Sequence, residues 1–195
     1  GVKNLLEAMD FSKTRFIQIS TDMVFSGSTD DPGPYAEDYK PKNNGQRLTW
    51  YGYTKLVAEE LVGDQVTILR LIYPVRAKFD KKLDYLRKPL QSFDQGKLWP
   101  LFTDQQVSFC FIDEACLALE KIISSKAIGI FHASSPDTTN PFELVSYLLK
   151  KARGYNGELK TGSLDEFLEN PANSPVRYPK FGGLKVEETE KRLGI

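Results

Sequence analysis

Histidine and cysteine are almost missing from this sequence of 195 residues, which has one histidine and two cysteines. A site that holds a metal through several histidines is therefore excluded. The spacing of Cys110 and Cys116 matches no zinc pattern, so we expect no metal site. Two cysteines fit a reducing compartment, and we expect a cytoplasmic protein. His132 lies in an apolar stretch, 129–133, that predicts a buried structural histidine, so proton transfer would fall to tyrosine, lysine or a carboxylate.

An excess of charge of either sign is also missing, because 26 Lys and Arg residues balance 26 Asp and Glu residues. Proteins that bind nucleic acids usually carry a basic excess. No apolar run approaches the roughly 18 residues that a membrane span needs, and residues 1–10 contain no apolar stretch of the kind found in signal peptides. We therefore expect neither a nucleic acid nor a membrane as a partner.

The apolar stretches that are present alternate between strand-like and helix-like patterns. Short apolar runs at 15–20 and 66–72 predict buried parallel strands, and 48–62 predicts a helix between them. The Gly-, Pro- and Asp-rich segment 26–46 predicts a long loop. Strand, loop, helix and strand form a βαβ unit, which implies a parallel sheet and an α/β fold with a mixed C-terminal portion. Further predicted elements are helices at 2–9, 113–124 and 186–193, helix starts at Asn140 and Ser163, and a strand at 129–133.

A hydroxyl-bearing sequence, Ser20-Thr21-Asp22, ends the first predicted strand. In open α/β sheets, ligands bind at the carboxyl ends of the strands. A hydroxyl at this edge can donate a hydrogen bond to a substrate carbonyl, although these residues are also ordinary at strand ends and turns.

A tyrosine and a lysine four residues apart, Tyr51 and Lys55, share one face of the next predicted helix. An ammonium beside a phenol favours the phenolate and so suits the phenol to acid–base catalysis. Chance alone gives about one such pair in a sequence of this composition, and Tyr147 with Lys151 is a second. No strand-end hydroxyl precedes that second pair, so we interpret it as structural.

Together these segments resemble the dTDP-4-dehydrorhamnose reductases of the extended short-chain dehydrogenase/reductase superfamily. Residues 19–27, ISTDMVFSG, resemble the family motif STD-x-VF-x-G, and 51–59, YGYTKLVAE, resemble YG-x-TK-x-x-x-E. The strand residues ILR at 68–70 also match. Looser similarities are DQ at 104–105, GIFH at 129–132 and the segment 177–179 near the C-terminus.

The resemblance implies a partial Rossmann-type parallel sheet with a small mixed substrate-binding portion, and hydride transfer from NADP or NAD to a nucleotide-linked 4-keto sugar. In that scheme Thr21 binds the C4 carbonyl, Tyr51 donates the proton, and Lys55 holds the nicotinamide ribose. The cofactor-binding residues it implies are Ser20, Tyr51, Lys55 and Ile72. The substrate-binding residues it implies are Thr21, Asp22, Met23, Val24, Phe25 and Arg76.

Some features depart from the family pattern. Met23 replaces an aromatic residue, and VSFC at 107–110 replaces G-S-P-T, which leaves the particular sugar open. None of the 14 glycines forms the G-x-G-x-x-G turn that holds a dinucleotide pyrophosphate. We therefore expect a fragment of a longer protein that binds dinucleotide poorly by itself. Such a fragment would associate, for instance as a homodimer, through the exposed edge of the strand at 15–20.

The resemblance also predicts a division of the chain and leaves alternatives open. Residues 1–75 would complete a Rossmann-type domain and 76–195 would mostly bind substrate, with 107–134 returning to the main domain. A basic cluster at 76–88 has six basic and two acidic residues; it is either a solvated helix face or a site for the substrate diphosphate. An epimerase or dehydratase of the same superfamily, or a non-catalytic NADP-binding regulatory subunit, remain alternatives to a reductase.

Overall fold

The computed structural model places a three-stranded parallel sheet at the centre of the molecule. It describes residues 1–42, 48–77, 79, 81–173 and 178–195. The strand order is β1 (Ile17–Thr21), β2 (Thr67–Leu71) and β6 (Ile130–Ala133), with Ile17 opposite Thr67 and Leu69 opposite Phe131. The predicted α/β class with a parallel sheet is confirmed.

The predicted elements occur in the predicted order, and their ends differ from the sequence pattern by at most two residues. The helices are α1 (Val2–Ala8), α2 (Trp50–Val62), α3 (Arg87–Asp94), α4 (Ile112–Ser125), α5 (Pro141–Arg153), α6 (Leu164–Glu169) and α7 (Glu187–Leu193). The short strands are β3 (Pro74–Val75), β4 (Leu101–Phe102), β5 (Cys110–Phe111) and β7 (Thr161–Gly162), which pair in parallel as β3 with β5 and β4 with β7. The sequence analysis predicted neither these four short strands nor α3.

Helix ends match their capping residues. The side chain of Asn140 accepts a hydrogen bond from the backbone of Glu143, and Pro141 is the first residue of α5. Ser163 caps α6 in the same way. Thr49 accepts from the backbone of Gly52 and starts α2. Because a capping oxygen satisfies a backbone N–H that has no partner inside the helix, these residues determine where the helices begin.

The main hydrophobic core lies where α2, α4 and α7 pack on the central sheet. Leu56, Leu69, Ile122 and Phe131 are among its buried members. Strand β1 was predicted to be buried on both faces, but the side chain of Ile19 is 38% exposed. In the described sheet β1 pairs only with β2, so its outer edge and part of one face are open.

The C-terminal segments are held against the middle of the chain by the Asp104-Gln105 pair. The carboxylate of Asp104 accepts hydrogen bonds from the Ser163 hydroxyl and the Leu164 backbone, at 2.8 and 2.6 Å. The amide of Gln105 donates to the Pro179 carbonyl at 3.0 Å. This pair therefore has a structural role, because it fixes the start of α6 and the position of the segment around Pro179.

Within the described ranges, no helix is both long enough and apolar enough to cross a membrane.

Candidate functional site

The carboxyl end of β1 turns directly into a one-turn 3-10 helix, Asp22–Val24. The hydroxyl of Thr21 donates to the Asp22 carboxyl oxygen Oδ1 at 3.0 Å and accepts from the backbone N–H of Met23 at 3.3 Å. Thr21 and Asp22 are both buried. The strand-end hydroxyl predicted from the sequence is therefore held in a fixed local hydrogen-bond arrangement.

The carboxyl group of Asp22 has an unusual environment for an acid. Burial raises its pKa from 3.8 to about 7, while hydrogen bonds from the Thr21 hydroxyl and from backbone N–H groups act in the opposite direction. Removing a carboxylate from water disfavours its charged form. Asp22 therefore changes protonation state close to neutral pH.

Helix α2 brings Tyr51 and Lys55 to the same region. The Lys55 Nζ donates to the carbonyl of Ile19 on β1 at 2.9 Å and lies 5.9 Å from the centre of the Tyr51 ring. Tyr51 is 54% exposed, so its phenol is accessible from solvent. The structure thus places the lysine against the strand that ends in Thr21, with the tyrosine one helical turn before it.

The close approach of α2 to the turn depends on a glycine. A Cβ atom added to Gly52 would lie 2.0 Å from the carbonyl oxygen of Met23. No side chain fits at this distance from a backbone atom. The glycine between Tyr51 and Tyr53 therefore permits the contact between the site helix and the Thr21–Val24 turn.

We expect Gly52→Ala to lower the free energy of unfolding by about 1–3 kcal/mol, which is the usual cost of overpacking. Alanine would by itself favour a helix over glycine by about 1 kcal/mol, so a loss of stability would show that the clash outweighs propensity. Denaturant unfolding measures the difference. Thr54→Ala, at an exposed position of the same helix, is the control and should change stability by less than about 0.5 kcal/mol. Equal stability of the two variants would contradict the proposed role of Gly52.

A buried ionic network fixes the inner side of α2. Arg70 on β2 is 1% exposed and Glu59 on α2 is 7% exposed. Arg70 donates two hydrogen bonds to the Glu59 carboxylate, at 3.0 and 2.7 Å. Because each charge is compensated by a bidentate partner, the pair can be buried, and it joins the site helix to the central sheet.

His132 continues this network. Its Nε2 lies 3.3 Å from Arg70 Nη1 and its Nδ1 lies 2.9 Å from the carbonyl of Lys185. Since an arginine only donates, Nε2 accepts and Nδ1–H donates to the carbonyl. Burial, and then the Arg70 charge, lower the pKa of His132 to about 3. The histidine is buried and neutral, in agreement with the structural role that the sequence pattern predicted.

Three predicted ligand-binding residues have side chains inside the core. Val24, Phe25 and Ile72 are all buried. The Phe25 ring stacks on Tyr35 with centres 4.0 Å apart, and the Arg70 guanidinium lies 4.9 Å from the Phe25 ring centre. Their contact with a ligand stays a prediction. Met23 is partly exposed.

Ser20 has a buried side-chain oxygen with no hydrogen-bond partner among the described residues. A buried hydroxyl without a partner is costly and rare in native proteins. It lies one residue before Thr21 and is therefore close to the carboxyl edge of the sheet, where the resemblance implies cofactor contact.

The structure brings part of the basic cluster at 76–88 together. The exposed Arg76 guanidinium lies 4.9 Å from the Phe79 ring centre, and Arg87 donates both to the Arg76 carbonyl and to the Asp84 carboxylate. Lys78 and Asp80 lie outside the described residues, as do 43–46 of the predicted loop and Arg177. Arg87 is therefore already paired with Asp84, whereas Arg76 keeps an exposed guanidinium.

The sequence analysis missed Tyr73, which follows β2 at the same edge of the sheet. Its backbone φ is 33°, a left-handed value that is strained for a residue with a side chain. Burial raises the pKa of its phenol above the ordinary value, and the Asp22 charge adds to this effect. No sequence pattern marks such a residue, because both its backbone angle and its nearness to Asp22 arise only in the folded chain.

The second tyrosine–lysine pair lies elsewhere, on α5. Lys151 Nζ is 5.6 Å from the Tyr147 ring centre, and Tyr147 is exposed. The distance resembles that of the first pair, so local geometry alone does not distinguish the two. Only the first pair lies on the helix that packs on the Thr21 turn.

Known proteins that are similar to this chain include reductases and other enzymes that act on nucleotide-linked sugars or glycans, by their descriptions. A "Probable low-salt glycan biosynthesis reductase Agl14" from Haloferax volcanii is 28% identical over 196 residues, which cover 98% of this chain and 62% of that protein. The crystal structure of a dTDP-4-dehydrorhamnose reductase from Bacillus anthracis in complex with NADP matches with a TM-score of 0.76 and 18% identity, over 98% of this chain and 62% of that one.

A UDP-glucuronic acid 4-epimerase from Bacillus cereus in complex with NAD matches with a TM-score of 0.71 and 19% identity, over 97% of this chain and 58% of that one. These structural matches show a shared fold. The chain thus spans less than two thirds of the length of these relatives.

The family model described as the RmlD substrate binding domain matches residues 1–195, the whole chain. This match agrees with the βαβ unit, the Ser20-Thr21-Asp22 strand end and the Tyr51–Lys55 helix, and it confirms the resemblance to dTDP-4-dehydrorhamnose reductases within the extended short-chain dehydrogenase/reductase superfamily. The chain belongs to the RmlD substrate-binding domain family.

Proposed function

We propose that the full-length protein reduces the 4-keto group of a nucleotide-linked sugar with NADPH or NADH. The observation that carries this proposal is the packing of α2 on the Thr21 turn, with Lys55 Nζ 2.9 Å from the Ile19 carbonyl and Tyr51 one turn away. Family membership and the relatives described as reductases support it.

The residues fit the nicotinamide end of such a cofactor. Lys55 offers an ammonium, and Ser20 offers a buried hydroxyl without a partner among the described residues. Tyr51 and Ile72 complete the predicted cofactor contacts. Residues 1–195 contain no G-x-G-x-x-G turn, so the fit concerns the nicotinamide and its ribose and not the pyrophosphate. When bound, the cofactor supplies the hydride that reduces the carbonyl carbon.

The chain's own residues would carry the proton chemistry. Tyr51 donates its phenolic proton to the C4 oxygen as negative charge develops there, Lys55 stabilises the phenolate that results, and Thr21 hydrogen-bonds the same oxygen. Asp22, Met23, Val24 and Phe25 would line the sugar, and the exposed Arg76 would contact the diphosphate. The division at residue 75 and self-association through the β1 edge stay predictions of the same scheme.

The test is a cofactor-oxidation assay with the full-length protein and a panel of nucleotide-linked 4-keto sugars. Stoichiometric oxidation of NADPH or NADH with formation of the 4-hydroxy sugar is the expected result. Interconversion of sugars without net cofactor oxidation would show an epimerase or dehydratase instead. Tight NADP binding without any turnover would favour the non-catalytic regulatory subunit.

A further inference from the structure

The Thr21 hydroxyl has a single proton, and in the structure this proton is donated to Asp22. Thr21 donates to Asp22 Oδ1 at 3.0 Å in a buried contact, and its lone pair accepts from the Met23 N–H. A carboxylate only accepts hydrogen bonds, whereas a carboxylic acid also donates one. While Asp22 is ionised, the Thr21 proton is therefore directed to Asp22 and not to a substrate carbonyl.

We propose that Asp22 is a positioning residue whose protonation state sets the direction in which the Thr21 hydroxyl donates. This inference rests on the proposed function. When Asp22 is neutral, its acid proton occupies the same 3.0 Å contact and points to Thr21 Oγ1. The Thr21 proton is then free to donate to the C4 oxygen of the sugar. Neutral Asp22 thus gives the competent arrangement, and ionised Asp22 withdraws the donor.

The surroundings of Asp22 allow this change of state near neutral pH. The pKa of its carboxyl is raised to about 7 by burial. From the segment after β2, Tyr73 interacts with the Asp22 charge, and Tyr178 in turn interacts with Tyr73. Helix α2 packs on the turn, and its titratable groups are Tyr51, Tyr53, Lys55, Glu59 and Glu60. On the neighbouring strand β2, the charge of Arg70 is paired with Glu59.

Asp22→Asn tests the inference through the pH profile of the full-length protein. The amide N–H of asparagine donates to Thr21 Oγ1 at every pH, as the neutral acid does. We expect kcat/KM of the wild type to fall by roughly tenfold per pH unit above the titration midpoint of Asp22. In Asp22→Asn this fall should disappear, so that the ratio of kcat/KM between about pH 6 and about pH 8.5 approaches one. An unchanged fall in Asp22→Asn would overturn the inference.

Two variants of Thr21 serve as controls for the profile. Thr21→Ser keeps the hydroxyl and should keep the pH-dependent fall. Thr21→Val removes the hydroxyl, and we expect its residual activity to be low and to lack the Asp22-dependent fall. A fall that persists in Thr21→Val would show that Asp22 acts by another route and would also overturn the inference.

A second measurement does not depend on turnover. Carbon-13 NMR of labelled aspartate in the full-length protein follows the Asp22 carboxyl, whose signal is identified by its loss in Asp22→Asn. Because the hydroxyl donates to the charged form, Thr21→Val should shift the Asp22 titration midpoint upward. An unshifted midpoint would refute the coupling. If the wild type reduced no 4-keto sugar, the proposed function would fail, and this shift would still decide whether Asp22 controls the Thr21 proton.

Discussion

Replacing Tyr51 with phenylalanine in the full-length protein should lower kcat by about 10²- to 10⁴-fold, which is the usual contribution of a positioned general acid. Only the phenolic oxygen is removed, and Tyr51 is exposed on the face of α2 that it shares with Lys55. Neither the core nor the contact of α2 with the Thr21 turn depends on that oxygen. Cofactor affinity should therefore remain within a few-fold of wild type, so that turnover is lost while binding is kept. Steady-state kinetics and cofactor titration measure the two effects separately.

Tyr147→Phe is the matched control for this experiment. It removes the same atom from a tyrosine that is also exposed on a helix and also has a lysine nitrogen near its ring, at 5.6 Å. Because α5 does not carry this pair to the Thr21 turn, kcat should stay close to wild type. A Tyr51→Phe enzyme with the wild-type rate, or a loss in Tyr147→Phe as deep as that in Tyr51→Phe, would refute the assignment of Tyr51.

Glu59→Gln should lower the free energy of unfolding by about 3–5 kcal/mol, the usual cost of leaving a buried charge without its partner. Arg70 is almost fully enclosed and cannot turn to water. Glutamine keeps the size of the side chain but gives the guanidinium no negative charge. His132 cannot replace that charge, because a histidine side chain is either neutral or positive. Denaturant unfolding of the full-length protein measures the loss. If the variant is too unstable to fold, the yield of soluble folded protein should fall instead.

Asp94→Asn provides a control with the same pairing geometry at the surface. Arg153 donates two hydrogen bonds to the Asp94 carboxylate at 2.7 Å each, but both side chains are well exposed. Exposed ion pairs contribute about 0–1 kcal/mol because water and salt screen them. A large difference between the two variants would show that burial, and not bidentate geometry, determines the cost. Similar small losses in both would contradict the structural role assigned to the Glu59–Arg70 pair.

Much of the architecture follows from local patterns in the chain. The strand at Ile17–Thr21, helix α2 and the strand at Thr67–Leu71 correspond to runs whose apolar spacing matches a buried strand or a helix. The caps at Asn140 and Ser163 follow from side chains that bond to the backbone three residues later. The short strands at Pro74–Val75 and Cys110–Phe111 could not be predicted, because two residues show no periodicity and their pairing partners lie 36 positions away in the chain.

The candidate site also has some features that the sequence predicts and others that only the folded structure shows. Its strand-end hydroxyl and its helix with Tyr51 and Lys55 are motifs within short segments, so the sequence by itself determines which residues share a face or end a strand. It also excludes a metal site built from several histidines, because the sequence has only one.

The tertiary structure alone decides the properties that depend on surroundings. Burial sets the protonation of Asp22 and His132, the strained backbone at Tyr73 appears only where β2 leaves the sheet, and Gly52 is required only because the Met23 carbonyl lies against it. Desolvation, steric contact and charge pairing each depend on atoms that are distant in the chain. The chemical types at the site are thus local and visible in the sequence, whereas their protonation and spacing are properties of the folded molecule.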